Sequence, residues 1–160
     1  MNPKQLKNLI IIPTLTKIDL LSDSAVALLL GTCAQETNLV QDLIQQPHGP
    51  ALGPYQMEPI TSHNLIVWLS GRPVLKEKVD SLVSIGNQNT DRLEELVFNL
   101  AYATAMARLR YLAWNDEPLP AANDILGLAK YYKKYYNTPN GAATERQFII
   151  NYHHYVEGKV

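Results

Sequence analysis

With 160 residues, 46% of them hydrophobic and 18% charged, the chain has the size and composition of one globular domain, residues 1–160, rather than of a disordered or membrane-embedded protein. A net charge of −1 and a pI near 6.4 provide no overall field to gather nucleic acid or an anionic membrane surface. Cys33 is the single cysteine, which excludes an intrachain disulfide and any need for an oxidising compartment.

The N-terminus, Met1-Asn-Pro-Lys-Gln-Leu-Lys, leads into an apolar stretch, Leu9 to Pro13, that is shorter than a signal h-region and lacks a small-residue cleavage site. No signal peptide is expected. No uninterrupted apolar run approaches the roughly eighteen residues of a membrane span, so a soluble protein is expected. Ile18, Leu21, Ala25, Leu28, Leu29 and Cys33 recur at helical spacing, and Ser22, Asp23 and Ser24 offer caps, which predicts a helix from about Ser24 to Thr37. Cys33 lies in its apolar run and reads as a buried, inert thiol.

The stretch from Gln45 to Pro59 holds four prolines and two glycines, which rules out a regular helix and predicts an irregular loop or short hairpin. A second helix runs from about Thr61 to Leu69 and ends at Gly71-Arg72-Pro73. After a short variable-looking segment, Asp91 to Ala113 reads as the clearest helix, with Leu93, Leu96, Val97, Leu100, Thr104, Ala107 and Tyr111 on one face and no breaker. Asn115 to Pro120 is a turn, Ala122 to Tyr136 a further helix, and Asn137-Thr-Pro-Asn-Gly141 its stop. Thr144-Glu-Arg-Gln147 is a capping box that opens a last helix carrying Phe148, Ile149, Tyr152 and Tyr155. The product is a mainly α domain with one irregular loop after its first long helix.

Glu36 stands at the C-terminal end of the most apolar helix, one and two turns beyond Thr32, Cys33, Leu28 and Leu29. Removal of water from one side of the carboxyl and the negative end of the helix dipole both raise its pKa, which suits an acid that protonates a glycosidic oxygen near neutral pH. Position alone favours a solvated helix-end glutamate. The segments Ala34-Gln-Glu-Thr-Asn-Leu39 and Gly53-Pro-Tyr-Gln-Met-Glu-Pro-Ile-Thr61 add a second signal. Together they resemble the lytic transglycosylase and goose-type lysozyme branch of the lysozyme-like superfamily. That family has a Glu-Ser pair at the end of a buried helix, an irregular loop, and a Gly-Leu-Met-Gln-x-Met-Pro-x-Thr segment along the cleft.

Glu36-Thr37 matches the first element, with Thr in place of Ser, and Gly53, Gln56, Pro59 and Thr61 match the second in order and spacing. The resemblance implies a lysozyme-like helical fold, Glu36 as catalytic acid, and Thr37, Gly53, Tyr55 and Gln56 along the substrate. A late Ala-Tyr-Asn motif of the family, whose Tyr faces the catalytic Glu, is matched in two imperfect ways. Leu126-Gly-Leu-Ala-Lys-Tyr131 reproduces its helical lead-in with Tyr132 in the Asn place, and Tyr136-Asn137 reproduces the dipeptide without the helix. The lead-in favours Tyr131 as the substrate-side tyrosine.

The reaction the resemblance implies is cleavage of the MurNAc-GlcNAc β-1,4 bond of peptidoglycan glycan strands, without a cofactor. Hydrolysis with inversion needs a second carboxylate about 6.5–9.5 Å from the acid, and retention one at about 5 Å. Asp42 and Glu58 are the candidates, and neither falls where goose-type lysozymes carry that group. A lytic transglycosylase needs only one Glu, acting first as acid and then as base for the C6 hydroxyl. His48, His63, His153 and His154 have no metal-ligand spacing with Cys33 or a carboxylate, so no metal is expected. Lys130, Lys133 and Lys134 alternate with tyrosines, but at a net charge of −1 they read as a solvated face and not as a nucleic-acid site.

The size of the chain is similar to that of bacteriophage lysis or virion proteins. This implies delivery to the periplasm or cell wall through a holin or a virion, with other phage proteins as partners. Two other readings stay open: a catalytically silent structural or wall-binding phage domain, and a chitinase-like hydrolase, because a Glu-Thr pair and a Gly-Pro-x-Gln segment also occur in plant-type chitinases.

Overall fold

A computed structural model describes residues 1–45, 49–84, 92–138 and 141–160. The fold is mainly helical, with eight helices and no strands among the described residues. No helix among them is long and apolar enough to cross a membrane.

Helix α1 occupies residues 3–17 as Pro3–Gln5, Leu6–Ile11 and Ile12–Lys17 without interruption. The apolar stretch Leu9 to Pro13, considered above only as a signal segment, is part of this helix. The Leu6–Ile11 stretch takes wider π turns, with Ile12 N–H bonding the Lys7 carbonyl, and the proline, which has no N–H to give, follows directly after that shift in register. Leu6, Ile11 and Leu15 are buried along one side.

Helix α2 (Asp23–Thr37) starts at Ser22, whose hydroxyl accepts the Ala25 N–H at 3.1 Å. Every residue from Ala25 to Ala34 is buried, as expected of a helix that is apolar all round. It lies among α1 and three later helices, and complete burial of Leu28 and Leu29 contributes about 1.5–3 kcal/mol each. Gly31 is required at one crossing, where a Cβ would lie 2.3 Å from the Phe148 ring.

The loop after α2 folds as a minimal hairpin. Leu52 and Met57 exchange both backbone hydrogen bonds at 2.9 Å, and an isolated bridge joins Ile44 to Leu52. His48 lies outside the described residues. Helix α3 (Pro59–Ser70) begins with Pro59 in its first turn, and α4 (Pro73–Asp80) with Pro73. The sequence reading took Gly71-Arg72-Pro73 only as a stop, so α4 was not expected; a proline in the first helical position begins a helix as readily as it ends one.

The helix expected over residues 91–113 is broken. Helices α5 (Leu93–Phe98) and α6 (Leu100–Leu112) meet at Asn99, whose backbone is extended at φ −101° and ψ 93°; Asp91 lies outside the described residues. Asn99 Oδ1 accepts the Tyr102 N–H at 3.0 Å, and its Nδ2 donates to Leu82 O at 2.8 Å and to the buried Glu95 carboxylate at 2.6 Å. A short amide thus replaces helical backbone bonds with its own, an interruption that needs neither Gly nor Pro.

Helix α7 (Ile125–Tyr132) starts three residues later than expected, at an Asp124 cap, and passes directly into π turns over Lys133–Asn137. Pro139 and Asn140 of the expected stop lie outside the described residues. Helix α8 (Glu145–Tyr155) opens with the expected capping box at Thr144 and Gln147 and packs along α2 and α7.

Candidate active site

Glu36 is in the last turn of α2, followed by a left-handed run: Asn38, Leu39 and Val40 have φ of 49°, 59° and 66°. Such a conformation is costly for leucine and above all for β-branched valine. Thr37 holds it in place. Its Oγ1 accepts the Val40 N–H at 3.0 Å and donates to Pro54 O, 2.9 Å away, while its carbonyl accepts the Gln41 N–H at 2.7 Å. Thr37 is therefore a buried tie between the end of α2 and the loop, which corrects its expected role as a substrate contact.

The loop is placed from the other side by Gly53 and Tyr55. At Gly53 φ is +74°, and a Cβ would lie 1.8 Å from the Leu96 carbonyl oxygen, so only glycine fits this turn. Tyr55 is buried, its hydroxyl 3.1 Å from Thr104 Oγ1. Neither residue lines the cavity described below, so both are corrected from substrate contacts to supports of the loop.

Between the end of α2, the loop and the π turns after α7 lies an open cavity of about 330 Å³. Glu36, Gln56, Glu58 and Thr61 line it together with Gln45, Arg110, Tyr136 and Asn137. Gln56 stands at φ +45°, and its Nε2 donates to Gly53 O at 2.9 Å. Its amide oxygen and second N–H remain for a ligand. Glu58 is exposed at the cavity rim. Asp42 is exposed and does not line the cavity, which removes it as a second acid there.

The tyrosine that reaches the acid is Tyr132. Its hydroxyl donates to Glu36 Oε1 at 2.6 Å, and the side chain is fully buried against the Phe148 and Tyr136 rings. Tyr131, favoured from sequence, points elsewhere: its hydroxyl donates to Glu117 O at 3.0 Å and accepts from Asn115 Nδ2 at 2.6 Å. Tyr136 does line the cavity, with its hydroxyl donated to Tyr55 O at 2.7 Å. Lys133 Nζ donates to Asn137 Oδ1 and Gly141 O at 2.8 and 2.7 Å, so this lysine supports the cavity wall instead of a solvated face. Lys134 pairs with Glu117 at 2.5 Å.

Burial raises the Glu36 carboxyl from its ordinary 4.5 to about 7, against the opposing pull of the Tyr132 hydrogen bond. Burial and the facing Glu36 charge push the Tyr132 hydroxyl far above its usual range, so it stays protonated and always donates. Burial also raises Cys33 to about 12, which leaves the thiol unreactive. The site thus offers a proton that is about half-retained at neutral pH, on a carboxyl in contact with a cavity, beside a fixed hydroxyl donor. Among the described residues no cluster of three or more His, Cys, Asp or Glu could hold a metal ion.

The sequence reading missed Tyr132, Gln45 and Arg110. The signal for Tyr132 was available: Tyr132 and Tyr136 are four apart and share a helix face, about 100° round from the one used by Tyr131 and Tyr135. No protein-family model, no curated protein and no solved structure matches the chain.

Proposed function

We propose that the chain is a lysozyme-like domain that cleaves the MurNAc-GlcNAc β-1,4 bond of peptidoglycan glycan strands, with Glu36 as its acid. The observation that carries this reading is the Glu36 carboxyl itself, raised to about 7 by burial, in contact with a cavity and held by Tyr132. Motif resemblance supplies the substrate class, and a cavity with amide and tyrosine walls suits sugar rings and their N-acetyl groups.

Glu36 first protonates the glycosidic oxygen. As the carboxylate it then takes the C6 hydroxyl proton while O6 closes on C1, giving a 1,6-anhydro end. Tyr132 orients the carboxyl through both steps. One observation favours a hydrolytic variant: Glu58 lines the same cavity and would serve as the base that activates water. In either form the proposal has the domain reach the wall with other lysis or virion proteins.

Digestion of purified sacculi followed by mass analysis of the released muropeptides separates these readings. Anhydro ends are expected; reducing ends would assign hydrolysis, and no release would refute the activity.

A further inference from the structure

Arg110 lies in the last turn of α6, half-buried, with its side chain on the cavity wall. Two other guanidinium groups are engaged. Arg92 pairs with Asp80 at 2.6 Å, and Arg72 lies 3.7 Å over the Trp68 ring and donates to Trp68 O at 2.9 Å. Arg110 makes no hydrogen bond or ion pair with any of the described residues, although Glu36 and Glu58 line the same cavity. Its charge acts on Tyr111 and Tyr136 and is not among the influences on Glu36. The guanidinium thus lines the same cavity as Glu36 and Tyr136 without pairing with either. A cation paired with the acid would lower the very pKa that burial raises, and Arg110 makes no such pair with Glu36. Unpaired with the acid, it is available to select substrate.

We propose that Arg110 is a specificity-determining residue that binds a carboxylate carried by the muramoyl residue of the glycan. The inference rests on the peptidoglycan reading above and names what that site selects. A planar guanidinium in a concave, partly dry wall is suited to bidentate capture of a carboxylate. Neutral N-acetylglucosamine polymers have no such group. A muramoyl residue has one in either of two places: the 3-O-lactyl carboxyl when the stem peptide has been removed, or the acidic residues of the stem when it is present. The chemistry is the same in both, and the ligand series below separates them.

The test uses the full chain carrying Glu36→Gln, so that binding is read without turnover, with and without Arg110→Gln or Arg110→Lys. Four probes are titrated calorimetrically: chitohexaose, a GlcNAc-MurNAc tetrasaccharide with free lactyl carboxyls, the same tetrasaccharide with those carboxyls as methyl amides, and the tetrasaccharide bearing stem peptides. With Arg110 present, a carboxylate-bearing probe should bind at least tenfold more tightly than the methyl amide, and the preference should shrink with added salt. Preference for the free lactyl form assigns the lactyl carboxylate; preference for the stem-bearing form alone assigns the peptide. Arg110→Gln should remove the preference and leave chitohexaose binding unchanged, and Arg110→Lys should restore part of it. In the otherwise unaltered chain, Arg110→Gln should leave the pH profile of sacculus cleavage in place. Equal binding of all the muramoyl probes, a preference that survives Arg110→Gln, or an equal loss on all four probes would overturn the assignment while the glycan reading stands. Failure of every probe to saturate would overturn both.

Discussion

Tyr132, in the last turn of α7, donates its hydroxyl proton to Glu36 at the end of α2, across 96 positions of sequence and 2.6 Å of space. The hydrogen bond fixes one carboxylate oxygen and leaves the other for a substrate. It also opposes burial in setting the carboxyl near 7.

Removing that hydroxyl has a signed consequence. Tyr132→Phe should raise the Glu36 pKa above about 7, because the lost hydrogen bond stabilised the charged form. The alkaline limb of the pH-rate profile, where the acid loses its proton, should move upward, while the maximal rate falls about tenfold or more as an oriented hydrogen bond to the reacting group is lost. Tyr131→Phe should leave the profile in place, since that hydroxyl serves Glu117 and Asn115. A pH series on purified sacculi with the two variants decides between them.

Stability should carry the mark of the same carboxyl. The folded-state pKa, about 7, lies above the ordinary 4.5, so the folded chain holds the proton more tightly than the unfolded chain. The associated stabilisation is complete below pH 4.5 and is lost as pH rises through about 7. Discounted for the partial exposure of Glu36, the loss amounts to about 2–3 kcal/mol. Glu36→Gln should therefore match the parent near pH 4 and exceed its melting temperature at pH 8 by about 5–10 °C. Thermal melts across this range give the answer directly; a constant difference at all pH values would remove Glu36 as the titrating group.

Gly53 should not tolerate a side chain. Gly53→Ala places a Cβ against the Leu96 carbonyl at a left-handed φ, and a loss of about 2–4 kcal/mol is expected from the clash and the backbone strain together. Activity should fall along with stability, because this turn carries Gln56 and Glu58. A denaturation midpoint unchanged from the parent's would show that the loop relaxes around the methyl group.

The two acids outside the helix should behave differently if hydrolysis operates, and alike if one Glu suffices. Asp42→Asn should keep nearly full activity in both cases, since Asp42 does not line the cavity. Glu58→Gln should also keep substantial activity in the single-acid mechanism. Initial rates of sacculus clearing measure this, and a loss of several orders of magnitude in Glu58→Gln alone would assign Glu58 as the base of a hydrolase.

What could be read from sequence was what periodicity and caps encode. The bounds of α2, the capping box of α8, the irregular loop and the burial of the Glu36 helix all follow from local pattern. Asn99 was not legible as a break, because its effect depends on Leu82 and Glu95 lying within reach of one amide. Pro73 misled for the opposite reason: it carries a breaker's signature while standing in the first turn of a helix. At the site, Glu36, Gln56 and Glu58 were identified from motif position, whereas Thr37, Tyr55 and Tyr131 share those motifs and face inward or away. Which face a residue presents is fixed by the left-handed run after α2 and the register of α7, and neither is written in residue type alone.

The central claim is that Glu36 supplies the proton for glycan cleavage, and the most direct test is the initial rate of muropeptide release from purified sacculi by the parent chain and by Glu36→Gln, both shown to be folded by thermal melting. The account predicts measurable release by the parent with 1,6-anhydro ends, and a fall of at least about a thousandfold in the variant, which keeps the shape of the side chain but has no proton to give. Release by Glu36→Gln at a rate close to the parent's would contradict it.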